Sequence, residues 1–156
     1  MKHFFEYNWQ VRNDWFELLT TISEEELHKK RIGGMGSFAK TLLHIIDVEH
    51  CWIQELQQKM VEPIEFDDYR SLAAIADLSQ QLRPAVQSFV ADWQDEMDLI
   101  TLDFYDNDNQ AEHFTMGEVM RHVIAHEIHH IGQLSVWIRE MGFKPPTANL
   151  IRRGLF

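Results

Sequence analysis

Only one cysteine, Cys51, occurs in the chain, so an intrachain disulfide is impossible and a cytoplasmic setting is expected. Long hydrophobic runs are missing too: nothing approaches the roughly 18 uninterrupted apolar residues that a membrane helix needs. The opening MKHFFEYNWQ carries no apolar run of the signal-peptide kind. Positive charge is scarce. Fourteen Lys and Arg stand against 25 Asp and Glu, a net charge of −11, which sets aside nucleic acid and anionic membrane as principal partners. Proline is confined to four positions; Pro63, Pro145 and Pro146 read as loop or helix-stop residues, and Pro84 alone falls inside a helical pattern.

Hydrophobic residues make up 45% of the 156, five of them Trp, enough for one globular domain over residues 1–156. Residues 3–22 place Phe4, Val11, Trp15, Leu18 and Ile22 on one helical face. Ser23 with Glu26 reads as a capping box for a short helix over EEELHKK. The glycines of RIGGMGS break the chain, and Ser37 caps a helix from about Phe38 to Gln58 with Phe38, Leu42, Ile45, Trp52 and Leu56 on its apolar side. Residues 60–70 read as a loop. Ser71 opens a third long helix reaching about Met97, kinked or split at Pro84. LITLDFY and EHF, flanking DNDNQ, read as a small hairpin or an irregular loop. Thr115 with Glu118 is a second capping box and opens the last helix, which Gly142 closes. The expected class is all-α: a four-helix bundle, with a hairpin or loop before its last helix.

That last helix, residues 115–141, holds His122, His126, His129 and His130, four of nine histidines. His130 falls inside its apolar stripe and His126 on the flank, one turn apart, or about 6 Å along the axis. His122 and His129 lie further round. Two stacked imidazoles on a buried face need a partner, and a metal ion supplies one. A third ligand from another helix leaves coordination positions open, and His44, near the middle of its own helix, is the best placed. His122 is the rival, because His122 and His126 form another i, i+4 pair. The letters HEIHH also match the H-E-x-x-H helix of zinc hydrolases, with Glu127 in the general-base position. Nothing downstream closes such a site: after His130 the only carboxylate is Glu140, on the same helix. Glu127 is retained as a weak candidate base. Gln133 and Asp47 are candidates for orienting the ligands, by hydrogen bonds to their far ring nitrogens.

The segments LLHIIDVEHCWI (His44, Glu49, Trp52) and HVIAHEIHHIGQL together resemble the DinB/YfiT family of metal-dependent proteins, over roughly residues 1–150. The most specific part is HxxxHxGQ, here His126, His130, Gly132 and Gln133. The resemblance implies a four-helix bundle, often a homodimer, whose metal triad falls on His44, His126 and His130. It also implies, for some members, transferase activity toward a small-molecule electrophile with a low-molecular-weight thiol (bacillithiol, mycothiol or glutathione) as cosubstrate. Imidazole donors suit zinc, nickel, iron or copper alike. The reading from another class is a dimeric binding module in which the metal only staples helices.

Overall fold

A computed structural model describes residues 1–105 and 110–156. The order of elements is α1 (Lys2–Leu19), α2 (Glu24–His28), α3 (Phe38–Leu56), α4 (Leu72–Ala91), β1 (Thr101–Tyr105), β2 (Ala111–Thr115) and α5 (Met116–Glu140), with 3-10 turns at Phe66–Asp68 and Asp95–Leu99. The chain is therefore mostly helical with one small antiparallel sheet. Helices α1 and α3 each pack against both α4 and α5. The long helices thus do not follow one another around the core: chain neighbours α1 and α3 share the same two flanking partners, which is what the long connections permit.

Local chemistry explains most boundaries. Ser37 and Ser71 each accept a hydrogen bond from the backbone N–H three residues on, and Thr115 and Glu118 cap reciprocally. At Ser23 only half of the expected box forms. Its hydroxyl accepts from Glu26 N–H, while the Glu26 carboxylate turns to Lys29 and Arg31. Helix α4 passes through Pro84 unbroken. Pro84 and Gln80, whose carbonyl loses its donor, are both exposed, so water can take the vacant acceptor. The same helix ends at Ala91 rather than near Met97. Asp92, Asp95, Glu96 and Asp98 would crowd negative charge onto the negative end of the helix dipole, and Asp98 instead pairs with Arg121 of α5 at 2.9 Å.

Strands β1 and β2 pair from Thr101↔Thr115 to Tyr105↔Ala111, so of the two readings of this segment the hairpin is the one adopted. The DNDN between the two strands lies outside the described residues. Phe104 is the hairpin's buried anchor, in tilted contact with Phe114 and edge-on to Trp52. On α1, Val11 and Trp15 are buried as expected, and Leu18 and, just past its end, Ile22 pack half-buried against the core; Phe4 is exposed instead, and the buried face widens to take in Phe5, Asn8, Arg12 and Leu19.

Candidate metal centre

Helix α3 contributes His44 and α5 contributes His126 and His130, and their ring nitrogens converge. His126 Nε2 lies 3.0 Å from His44 Nε2 and 3.1 Å from His130 Nε2. One ligand atom from each of the three falls within 4.8 Å of the others. His130 is buried and the other two are half-buried, in accord with their places on the helical wheel. His122 and His129 are exposed and stand outside the cluster.

Hydrogen bonding decides which nitrogens carry protons. The Gln133 side-chain carbonyl lies 2.8 Å from His130 Nδ1 and accepts its proton, which leaves His130 Nε2 as a bare lone pair aimed at the cluster. The Gln133 amide in turn donates to His129 Nε2 at 2.8 Å, and this fixes the amide's orientation. Gln133 is itself held from outside. Gly34 lies over it with φ +52°, and a β-carbon there would sit 2.6 Å from Gln133 Oε1 and 3.0 Å from Trp137. Only glycine takes that conformation and that approach together. Trp137 Nε1 donates to Ile32 O at 3.0 Å and ties the loop down.

Three rings so close cannot all be protonated. Burial first, then the neighbouring rings of His130 and His44, push the His126 imidazole down to about 3. Burial lowers His44 and His130 as well. Neutral imidazoles whose three Nε2 atoms converge can offer three lone pairs to one centre, and this donor set fits a divalent transition metal. No carboxylate or thiol joins the three among the described residues, so positions on such an ion would stay open.

The remaining candidates are placed elsewhere. Asp47 accepts from Cys51 Sγ at 3.2 Å. Cys51 is outside the cluster, and burial with the Asp47 charge pushes its thiol up to about 12. Glu127 turns to the other side of α5, where both carboxylate oxygens meet Arg12, Nε–Oε1 at 2.9 Å and Nη2–Oε2 at 2.5 Å.

That contact belongs to a buried network that no sequence motif marks. Arg12, fully buried, also donates to Glu49 Oε1 of α3 at 3.0 Å, and Glu49 Oε2 accepts from Trp9 Nε1 at 2.9 Å. One guanidinium thus joins the two helices that carry the histidines. Burial acts against ionisation of Glu127, and the Arg12 charge acts for it. The signal was present in the apolar repeats. Leu42, Ile45, Trp52 and Leu56 skip one step, and Glu49 occupies it; Glu127 fills the equivalent step between Val123 and Ile131 in α5. A carboxylate on a core position of each of two helices calls for a buried cation, and Arg12, beside the apolar stripe of α1, supplies it.

Similarity to known proteins agrees with this geometry. The sequence profile of the DinB family matches residues 1–153. The chain belongs to the DinB family. A Bacillus subtilis (strain 168) protein described as uncharacterized protein YizA is 41% identical over 157 residues, covering 99% of this chain and 96% of that protein. In this DinB-family chain, His126 and His130 of the HxxxHxGQ segment are the part of α5 that faces His44.

Proposed function

We propose that the protein binds one divalent transition metal through His44, His126 and His130 within a DinB-like four-helix bundle, and that it is a thiol-dependent transferase acting on a small electrophile. The observation that carries this reading is the convergence of three Nε2 atoms with no fourth protein ligand among the described residues. Three ligands and open positions are the pattern of catalytic rather than structural sites. When bound, the ion would lower the pKa of a coordinated thiol or water, making it nucleophilic at neutral pH. The chain's residues would hold that nucleophile at one place: His44 and His126 from the half-exposed side, and His130 kept in its tautomer by Gln133. With Cys51 protonated and remote, the thiol would come from solution.

A hydrolase of the H-E-x-x-H kind is disfavoured because Glu127, its would-be base, is committed to Arg12 through both oxygens. The structural-staple reading loses support because the ligands bridge only two helices, α3 and α5, rather than three. Half-exposure of His44 and His126 speaks for access. A homodimer and a cytoplasmic location belong to the same proposal. Ile128 and Val136, both exposed, flank Gly132 on an outward strip of α5 that would suit a second copy. No helix is long and apolar enough to cross a membrane among the described residues.

Cobalt loading tests the reading. Adding glutathione or 2-mercaptoethanol to the Co²⁺ protein is expected to produce sulfur-to-cobalt charge-transfer absorption, absent in His126→Ala. A cobalt spectrum indifferent to every thiol and small anion would favour the staple.

A further inference from the structure

Beyond the histidine cluster, toward the hairpin, α3, α5 and β2 enclose a cavity of about 240 Å³ lined by Trp52, Glu112, Phe114, Glu118, Val119 and His122. The volume falls below the roughly 300–1,000 Å³ of sites for drug-sized ligands, so the guest is small. His122 connects the cavity to the centre: its ring centroid is 5.8 Å from that of Trp52 and 5.8 Å from that of His126. The hairpin completes it. Trp52 packs edge-on against Phe104 at 5.4 Å, and Phe104 against Phe114 at 5.7 Å, so the aromatic wall is held from behind.

The lining combines two kinds of group. Trp52, Phe114 and Val119 give an apolar, partly aromatic wall, and Glu112 and Glu118 give carboxylates at exposed positions. No lysine or arginine lines it among the described residues. Glu118 Oε2 is occupied by the Thr115 N–H and hydroxyl, and those bonds lower its pKa; Oε1 takes no hydrogen bond among the described residues. Aromatic rings beside carboxylates, with no cation in the lining among the described residues, select positive charge on an apolar body. The chain's net charge of −11 favours the same sign at longer range.

We infer that this cavity is a subsite for a small organic cation with an apolar body, an alkyl or aryl ammonium, seated one histidine ring away from the metal centre. A substrate or cosubstrate held there by its ammonium end would present its other end toward His126. The subsite stands on its own walls, and only its link to catalysis rests on the metal reading above.

Benzylamine, benzyl alcohol and benzoate at pH 7 are suitable probes, with dissociation constants measured by ligand-observed NMR on the protein as purified and again after chelator dialysis. Benzylamine should bind at least about tenfold more tightly than benzoate. That preference should vanish in Glu112→Gln/Glu118→Gln, where glutamine preserves the helix cap. Trp52→Leu should weaken benzylamine by about tenfold. Both glutamates are exposed, so the double variant decides the matter even if Trp52→Leu does not fold. Equal or tighter binding of benzoate, or a preference that survives the double variant, overturns the proposal. Binding abolished by the chelator also overturns it, because the amine would then be a metal ligand rather than a guest of the cavity. Retained selectivity in a protein that binds no metal would instead overturn the metal reading and leave the subsite standing.

Discussion

Gln133 is one residue away from being an unremarkable surface amide, yet its carbonyl decides which nitrogen of His130 is free to ligate. Gln133→Leu removes that acceptor. Metal affinity measured by chelator competition should fall about 10- to 100-fold, with little change in the melting temperature of the metal-free protein. Gly34→Ala should produce a smaller loss of the same kind by pushing on Gln133 Oε1. Cys51 makes the opposite case. With its thiol pushed up to about 12, only about one molecule in 10⁴ is thiolate at pH 8. Alkylation by iodoacetamide at that pH should be slow in the folded protein and should become fast on unfolding in urea. A rapid reaction in the native state would contradict the half-buried, Asp47-paired placement.

Among the elements, the Arg12 layer matters most for the centre, because it holds α3 and α5 at one level. Arg12→Met leaves Glu49 and Glu127 buried without their cation, and urea denaturation should show a loss of about 3–5 kcal/mol. Replacing all three, Arg12→Met with Glu49→Leu and Glu127→Leu, should recover most of it, since an apolar layer of similar volume avoids the desolvation cost. Sequence periodicity reached the helices themselves, their serine and threonine caps and the inward pair His126 and His130, because these depend on spacing within one element. It did not reach the burial of Arg12 on α1, the early stop of α4 or the partner of Glu127. Each of those is decided by a charge meeting something from another element: Arg12 between two carboxylates, Asp98 with Arg121. Asp47 shows the same limit. One turn from His44 is the right distance for a hydrogen bond, but Cys51 is one turn away on the other side and takes it.

At the scale of the molecule, chain-neighbouring helices α1 and α3 share α4 and α5 as flanks, and this brings residue 44 against residues 126 and 130. Spacing alone left His44 as the best third ligand and His122 as its rival. The fold separates them: His44 faces His126, while His122 turns toward Trp52 and the cavity. Because the three nitrogens bridge two helices, removal of a bound metal should lower the melting temperature, and less so in a variant that already lacks His44. Elemental analysis of the purified protein beside His44→Ala, His130→Ala and His122→Ala tests the central claim most directly. The account predicts about one equivalent of a transition metal in the unaltered protein and in His122→Ala, and near none in the other two. No metal in the unaltered protein, or metal kept by His44→Ala and lost by His122→Ala, would contradict it.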